Sequence, residues 1–368
     1  MKNSASTRRS GLIVAIGLFI AGCTPATPAA PTTAPAAPTA AAPTTAGGAP
    51  TAASSSPAAV AKPSAAPTAG AAASSGGAQK TLVWIPKATN STFWLAVKRG
   101  AEKAGGELGY TILYEGVQDQ TNIAGQVNLV GDMVTRKVDG ILIAATDAKA
   151  LAPAVDKAIG AGVPVITLDS GVDSDKPYAY IATDNVGAAK MAADKVAELI
   201  SSKGKVGDIG ITAGSQTGIE REQGFQDEMK AKFSDVQILS VQYSGCDPAK
   251  GLNIATDLFT GNPDLVAYYG ACDGAGTGAG QLVKQKGLKG KAHVVSFDTS
   301  PDEIQLFKDG YVDALIVQDP FQMGYKGVQA MDKVLHGQQV EPKKVAIPAT
   351  VVTMQNFNDP QIQQLLQQ

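Results

Sequence analysis

Histidine is scarce in this sequence of 368 residues, which contains only His293 and His336, far apart along the chain. This scarcity argues against a histidine-rich metal site, and no Ser/His/Asp order typical of a hydrolase is found. Charge of one sign is not in excess either, because 31 Lys and Arg face 33 Asp and Glu, a formal net charge of −2. This balance gives no support for a nucleic-acid partner.

Long hydrophobic runs are also missing, except for one near the N-terminus. Residues 11–21 are uncharged and apolar, and they follow the basic Lys2, Arg8 and Arg9, which is the order of an export signal. A bilayer span needs about 20 apolar residues, so this run is too short to be one. It ends in IAGC at positions 20–23, which resembles a lipobox. We predict a lipoprotein signal peptide over residues 1–22 and lipid on the sulfur of Cys23; the alternative is an ordinary signal beside an accidental cysteine.

A tract of low complexity follows this cysteine. Residues 24–79 are almost entirely Ala, Pro, Thr, Ser and Gly, interrupted only by Val60 and Lys62 before Gln79. Without large apolar side chains, such a segment cannot offset the entropy of its own ordering. We predict that residues 23–79 are a disordered, semi-rigid linker, which holds a folded part, residues 80–368, away from a membrane surface.

Short apolar runs alternate with amphipathic segments of helical length in the folded part. The first set has predicted strands at 82–86, 111–114, 140–145, 163–169 and 178–182 and predicted helices at 93–108, 123–136 and 148–159. A cap cluster at 183–185 precedes a helix at 186–200, and a second set has strands at 206–212, 236–242, 265–270, 294–298 and 314–318 and helices at 218–232, 248–259, 275–286 and 321–335. Continuous apolar strands alternating with helices predict parallel sheets covered on both faces. We therefore predict an α/β fold of two lobes with a ligand cleft between their sheet edges.

Polar side chains stand at the ends of several predicted strands. Asp169 and Asp298 each end one strand and Gln318 ends another, while Arg221 lies in the first turns of a helix that follows a strand. Carboxylate, amide and guanidinium groups donate or accept hydrogen bonds in fixed directions, as recognition of a neutral polyol requires. The alternative is that each aspartate caps a helix.

Two adjacent aromatic residues, Phe93 and Trp94, follow the first predicted strand. They offer rings on which the apolar face of a sugar would stack, and the alternative is that they pack in the core. Together with the polar residues, they favour a sugar-binding cleft.

Several segments, in order and spaced alike, resemble the ribose-type periplasmic binding proteins, the solute receptors of ABC sugar importers. They include NSTFW, GVPVITLDS, YIATDN, EREQGF, CDPAKGLNIATDLFTGNPDL, VVSFDTSPDEI and ALIVQDPFQMGYKGV, and the resemblance extends from residue 80 to about 353. It implies a type I periplasmic binding protein fold, in which two Rossmann-like lobes joined by three crossovers close on the ligand. One lobe would be residues 80–183 plus 319–348, and the other 184–318 plus 349–368.

The resemblance also implies which residues bind the sugar. The matching positions are Phe93 and Trp94 as stacking aromatics, Asp169, Arg221, Asp298 and Gln318 as hydroxyl-binding groups, and Phe297 as a ring beside them. Ser91 stands where the family often has Asn or Asp, and Lys87 where it often has a small polar residue. We expect no catalytic activity, cofactor or metal, and an extracytoplasmic, lipid-anchored monomer that delivers a monosaccharide or related polyol to an ABC permease.

Four departures from the ribose-type pattern concern the cleft. Ala144 stands in place of an asparagine, Ser170 in place of an arginine, and Cys246 and Cys272 in place of an aromatic residue and an asparagine. Shorter side chains leave room for an extra hydroxymethyl group or a bridging water, so we favour an aldohexose over ribose. Lys87 would cancel this difference by filling the space.

Cys246 and Cys272 each follow the carboxyl end of a predicted strand in the second lobe. In the usual doubly wound order, strand 206–212 lies between those two strands, whose axes would then be about 10 Å apart. A disulfide needs Cα atoms about 4.4–6.8 Å apart, so the two loops would have to lean together over the middle strand. The alternatives are a disulfide across the cleft floor and two free thiols.

Three other functions share some of these features. The glycines of residues 274–280 have the spacing of a nucleotide-binding loop, which would indicate a nucleotide-dependent enzyme, but they also suit a small-residue packing face on a helix. A lactose-repressor-type regulator shares the core fold but would need an N-terminal helix-turn-helix, where this chain has an export signal. A binding protein that serves a sensor or chemoreceptor has the same fold, and the sequence leaves that alternative open.

Overall fold

The computed structural model describes residues 79–367. The predicted signal peptide, the lipid on Cys23 and the linker up to residue 78 lie outside the described residues and stay predictions. Within the described part, no helix has both the length and the apolar character that crossing a bilayer requires.

Six parallel strands form the first sheet, in the order β12-β5-β4-β3-β1-β2. They are β1 Thr81–Ile85, β2 Thr111–Tyr114, β3 Gly140–Ile143, β4 Val165–Leu168, β5 Tyr180–Thr183 and β12 Lys344–Ile347. The helices on its faces are α1 Thr92–Leu108, α2 Ile123–Thr135, α3 Ala148–Gly160 and α9 Pro320–Leu335. We call these elements the first lobe.

Side chains of β1 alternate between the two faces of this sheet. Leu82 and Trp84 enter the core formed with α1 and α9, whereas Val83 and Ile85 enter the core formed with α2 and α3. Because both faces are covered, all four side chains are fully buried. The continuous apolar run is the sequence signature of that double coverage.

The second sheet has the order β13-β11-β10-β9-β6-β7, with β8 also paired to β6. Its strands are β6 Gly204–Gly210, β7 Val236–Ile238, β8 Gln242–Tyr243, β9 Leu265–Gly270, β10 His293–Phe297, β11 Ala314–Val317 and the antiparallel β13 Thr350–Val352. The helices that pack with it are α4 Asn185–Leu199, α5 Gln216–Lys232, α6 Pro248–Gly261, α7 Asp273–Lys286, α8 Pro301–Lys308 and α10 Pro360–Leu366. We call these elements the second lobe.

The chain passes between the lobes three times. It leaves the first sheet after β5 for α4, returns after β11 into α9, and leaves again between β12 and β13. The predicted α/β fold with two parallel-sheet lobes is confirmed. The three connections bring the carboxyl edges of both sheets together around one cleft, the place where open α/β sheets bind ligands.

Many helices begin at a polar cap just beyond a strand. In the predicted cluster at 183–185, Asp184 accepts a hydrogen bond from the Gly187 amide at the start of α4. Ser91 and Ser215 cap α1 and α5 in the same way. These caps satisfy amides that the first helical turn leaves unpaired, so the caps define where each helix starts.

The structure differs from the predicted elements in the second lobe and near the C-terminus. The predicted strand 236–242 is two short strands, β7 and β8, and α8, β12, β13 and α10 were not predicted. β12 is a sheet edge with mainly exposed side chains, and α8 and α10 have eight and seven residues. Such elements carry little hydrophobic periodicity, so the sequence pattern does not reveal them.

The glycine-rich stretch 274–280 lies inside α7 and is buried along its whole length. A Cβ atom at Gly276 would lie 2.0 Å from Ser296 Oγ, and one at Gly278 would lie 2.3 Å from the carbonyl carbon of Gly251. These glycines let α7 pack against α6 and β10, so they form a packing face and not a phosphate-binding loop.

Candidate ligand-binding site

A chamber of about 270 Å³ lies between the carboxyl edges of the two sheets. It is close to the lower end of the volumes of small-molecule sites, roughly 300–1,000 Å³, which suits a small ligand. The predicted sugar-binding residues that line it are Lys87, Ser91, Phe93, Trp94, Asp169, Arg221, Asp298 and Gln318. Both lobes contribute to this set, so the site exists only when the lobes face each other.

Backbone strain marks two of these positions. Asp169 follows β4 with a φ of 60°, and Asp298 follows β10 with a φ of 77°. Residues other than glycine rarely adopt this left-handed conformation, although Asp tolerates it better than most. Such strain clusters at functional sites, and here it turns a carboxylate into the chamber at the end of each strand.

Lys87 and Asp169 form an ion pair at the base of the cleft. Lys87 Nζ lies 3.1 Å from Asp169 Oδ2, and the two side chains are only 3% and 4% exposed. Lys87 also donates to Ser215 Oγ at 3.0 Å, and the Thr217 hydroxyl lies 3.1 Å from Asp169 Oδ2. Burial lowers the pKa of Lys87 and the Asp169 charge opposes that change. Because Ser215 and Thr217 belong to the second lobe, these bonds link the lobes.

Arg221, on α5, is held in place on three sides. Its Nε donates to Asn185 Oδ1 at 2.9 Å and its Nη1 donates to the Ala271 carbonyl at 2.8 Å. The guanidinium lies 3.9 Å from the centre of the Phe297 ring. Nη2 is buried and has no protein partner among residues 79–367. An oriented cationic donor is therefore left for a ligand oxygen.

Asp298 and Gln318 form a second polar pair. Asp298 Oδ2 lies 3.9 Å from Arg221 Nη1, and Gln318 Nε2 donates to Asp298 Oδ1. Thr183 donates to Gln318 Oε1 at 2.5 Å, which sets the orientation of the amide. Burial raises the pKa of Asp298, and Arg221 opposes that rise. The Asp298 carboxylate and the Gln318 amide oxygen are therefore acceptors with fixed directions, and the Gln318 amide nitrogen is a donor with a fixed direction.

An aromatic wall closes the first-lobe side of the chamber. The rings of Phe93 and Trp94 meet edge to face, with centroids 4.8 Å apart, and Trp84 packs behind Trp94 at 6.0 Å. Ser91 accepts a hydrogen bond from the Phe93 amide as the cap of α1. That cap fixes the direction in which the two rings leave the loop.

Phe297 is placed differently from the prediction. Its side chain is fully buried, it does not line the chamber, and it lies beneath the Arg221 guanidinium. Phe297 is the last residue of β10 and is buried in the second-lobe core, whereas Asp298 follows the strand with a left-handed backbone and lines the chamber. The Phe297 ring therefore lies beside the hydroxyl-binding candidate Arg221, outside the chamber lining.

Ala144 and Ser170 also differ from expectation, because neither lines the chamber. The Gln126 amide donates to the Ala144 carbonyl at 2.8 Å, and Ser170 Oγ lies 3.4 Å from Ser215 Oγ. Both residues are fully buried. Their small side chains therefore do not enlarge the chamber.

Asp273 is a chamber residue that the sequence analysis did not select. It is the first residue of α7, just beyond β9, and it lines the same cavity. Burial raises the pKa of Asp273, and the nearby Asp298 charge raises it further. Asp169 directly follows β4, whereas Asp273 lies three residues beyond β9 at the start of α7, so the strand-end pattern does not select it.

Cys246 and Cys272 lie on the second-lobe wall. Their sulfurs are bonded, with an S–S distance of 2.11 Å and Cα atoms 5.9 Å apart. Cys246 follows β8 and Cys272 follows β9, and both strands pair with β6, so the two loops meet over the end of that strand. Both cysteines line the chamber.

Comparisons with known proteins agree with this architecture. A periplasmic binding protein domain family matches residues 82–339. A ribose import binding protein of Salmonella typhimurium is 36% identical over 267 residues, covering 72% of this chain and 88% of that protein. The D-allose-binding periplasmic protein of Escherichia coli is 28% identical and covers 67% of this chain and 81% of its own length.

Solved structures show the same likeness. An ABC transporter solute-binding protein of Agrobacterium vitis with bound D-fucose is 38% identical, with a TM-score of 0.74, covering 77% of this chain and 98% of that one. A carbohydrate transporter solute-binding protein of Agrobacterium radiobacter in complex with D-arabinose is 35% identical, with a TM-score of 0.76, covering 78% and 99%. Because the family match spans most of the described residues and relatives exceed 30% identity over two thirds of the chain, this protein belongs to the periplasmic binding protein family, whose members bind solutes for transport and are not enzymes.

Proposed function

We propose that this chain captures a neutral monosaccharide between its two lobes and delivers it to the permease of an ABC importer. The observation that carries the proposal is the set of oriented polar groups around one chamber between the lobes. Arg221 Nη2 and the Asp298 carboxylate come from the second lobe, the Gln318 amide comes from the second connection between the lobes, and the Phe93–Trp94 wall comes from the first lobe. This combination matches the hydroxyl groups and the apolar face of a sugar ring.

The charges of the chamber favour a neutral ligand. Lys87 is paired with Asp169, Arg221 lies near Asp298, and the third cation of the lining, Lys250, is accompanied there by Asp119 and Asp247. Asp273 adds a further carboxylate without adding a cation. A phosphorylated sugar or a sugar acid would meet this excess of carboxylates, which opposes binding of an anion.

We propose an aldohexose in preference to ribose, on narrower grounds than the sequence offered. Cys246 lines the chamber at the position where the ribose-type pattern has an aromatic residue, so the wall is less bulky there. Lys87 Nζ lies over the Trp94 ring at 5.8 Å and occupies part of the opposite side. The preference for an aldohexose therefore depends on the space beside Cys246 in the chamber wall.

Closure of the lobes is part of the proposed function. The Lys87–Ser215 hydrogen bond joins the first lobe to the second. The Thr183–Gln318 hydrogen bond joins the first connection between the lobes to the second. A ligand bound by both lobes would add bonds to this closed form only, and would shift the population towards it. The closed form is then the species that a permease would recognise.

A thermal-shift screen followed by isothermal titration calorimetry tests this function. The panel would contain D-ribose, D-allose, D-arabinose, D-fucose, D-glucose and glucose 6-phosphate. We expect at least one neutral sugar to raise the melting temperature and the phosphorylated sugar to have no effect. Absence of binding by every neutral monosaccharide would contradict the proposal, and tight binding of ribose alone would contradict the aldohexose preference.

Anchoring and location complete the proposal. We propose that the exported chain is held at the outer side of the cell membrane by lipid on Cys23, with the following tract as its tether. The support is the order of basic residues, apolar run and IAGC motif at positions 20–23, followed by residues 24–79 of low complexity. The family is extracytoplasmic, which agrees with such a location.

A further inference from the structure

The Cys246–Cys272 disulfide forms part of the chamber wall. Both cysteines line the cavity, Cys272 is 3% exposed, and Cys246 is half-buried. The bond therefore faces the space that a ligand would fill. A reductant that reaches the bond through the chamber competes for this space with any ligand.

The disulfide joins two segments that carry groups of the site. On one side is the loop after β8, from which Gly245, Asp247 and Lys250 also line the chamber. On the other side is the start of α7, where the Ala271 carbonyl accepts the hydrogen bond from Arg221 Nη1. The bond therefore tethers the loop to the segment that orients Arg221.

The loop adopts a backbone that needs a constraint. Gly245 has a φ of 64° and Cys246 a φ of 56°, two left-handed residues in succession. Glycine accepts this conformation, whereas a cysteine rarely does. Besides the disulfide, the Gly245 amide donates to the Ile211 carbonyl and the Cys246 amide to Ser244 Oγ. Opening the disulfide removes the one covalent constraint on Cys246 and lets its backbone relax.

We propose that this disulfide is a redox-modification site coupled to ligand binding: the oxidised chain binds sugar tightly, a dithiol opens the bond and weakens binding, and bound sugar protects the bond. The proposal rests on the proposed function. A thiolate of the dithiol attacks the more exposed Cys246 sulfur, the S–S bond breaks, and Cys272 leaves as a thiolate and takes up a proton. The second thiol of the reductant then displaces Cys246, so that the reductant becomes a disulfide and the protein gains two electrons and two protons.

Coupling of this kind is reciprocal. If the reduced chain must order one backbone residue of the loop again on binding, its affinity falls about tenfold, equivalent to ~1.4 kcal/mol. A saturating sugar then lowers the reduction potential of the disulfide by about 30 mV, because a tenfold change equals about 29.6 mV for two electrons. Both effects have the same origin and must agree in size.

The experiment uses the full chain with Cys23→Ser, so that Cys246 and Cys272 are its only cysteines. D-Ribose, D-allose, D-arabinose and D-fucose serve as probes. Calorimetry measures their affinity before and after treatment with dithiothreitol, and alkylation with peptide mapping after equilibration in a dithiothreitol redox buffer measures the fraction of open disulfide with and without each sugar. A chelator is present throughout, since both sulfurs and an Asp273 carboxylate oxygen lie within 4.8 Å of one another and would bind a thiophilic cation.

The matched control is the double variant Cys246→Ser/Cys272→Ser. We expect its affinity to equal that of the reduced chain and to be unaffected by dithiothreitol. Should this variant fail to fold, Cys246→Ala/Cys272→Ala provides the same comparison without adding bulk to the chamber. Affinities that agree within twofold in both redox states, with no protection by sugar, would overturn this proposal and leave the proposed function intact. If no probe sugar binds even the oxidised chain, the proposed function fails first and this proposal with it.

Discussion

Replacement of Arg221 by alanine tests the centre of the site most directly. The guanidinium donates to Asn185 Oδ1 and to the Ala271 carbonyl, lies over Phe297, and keeps Nη2 free of protein partners among the described residues. Alanine removes the donor that faces the ligand. It also leaves the Asp298 carboxylate without its nearest cation in a buried position.

The expected loss follows from these contacts. A hydrogen bond to a charged group contributes about 1.5–3 kcal/mol, and a buried group left without a partner costs about 1–3 kcal/mol. Allowing for water that enters the space, we expect binding to weaken by about 2–4 kcal/mol, which is roughly 30- to 1,000-fold in affinity. Asp298→Ala should fall in the same range, because it removes an acceptor and leaves Arg221 unpaired.

Calorimetry with the sugar that gives the largest thermal shift measures this loss, and circular dichroism establishes that each variant is folded at the temperature used. Arg136→Ala is the matched control, since Arg136 forms an exposed ion pair with Glu115 outside the chamber. Such a pair contributes about 0–1 kcal/mol to stability, and its removal should leave affinity unchanged. Affinities of Arg221→Ala and Asp298→Ala within threefold of the unsubstituted chain would refute the placement of the site.

Four further predictions concern other parts of the protein. Cys23→Ser should move the protein from the detergent phase to the aqueous phase in detergent partitioning, because the lipid is the proposed anchor; identical partitioning of both forms would contradict the lipoprotein prediction. Phe297→Leu should weaken sugar binding about three- to tenfold although the ring does not line the chamber, because a cation–π contact contributes about 0.5–2 kcal/mol to holding Arg221. An unchanged affinity in calorimetry would refute this positioning role. Trp94 lines the chamber, so sugar should change the intrinsic fluorescence, and Trp94→Phe should remove most of that change; a full response in the variant would argue against it. Burial raises the pKa of Asp208 to about 7, above its unfolded value of about 3.9, so its contribution to stability is present below about pH 4 and is lost as the pH rises to about 7. Asp208→Asn should therefore increase the free energy of unfolding at pH 8 by on the order of 2–4 kcal/mol and have no such effect at pH 4. Urea denaturation measures this free energy, and the exposed Asp235→Asn is the control.

The fold class followed from the sequence because its signals are local. Runs such as residues 82–86 and 265–270 are apolar at every position, and only a strand covered on both faces needs that pattern. Polar caps such as Asp184 and Ser91 then set the helix starts. Edge strands and short helices, including β12 and α8, have no comparable pattern and became visible only in the assembled sheets.

Much of the candidate site could also be selected from the sequence. A polar residue directly after a buried parallel strand must lie at the carboxyl edge of a sheet, and this rule together with the family resemblance selected Asp169, Asp298 and Gln318. The structure places all three around one chamber. The rule does not reach Asp273, which lies three residues beyond the end of β9 as the first residue of α7.

Tertiary structure alone decided which of the neighbouring side chains face the ligand. Phe297 precedes Asp298 by one position, yet its ring is buried outside the chamber lining and lies against the Arg221 guanidinium. Whether Cys246 and Cys272 meet depended on how far two loops lean over β6, and that depends on the packing of α6 against α7. Sequence spacing determines where strands and helices lie along the chain and which strands are buried on both faces, because the pattern of apolar residues is local to each element. The chamber arises from contacts between elements far apart in the chain, and only the packed lobes bring those side chains within bonding distance.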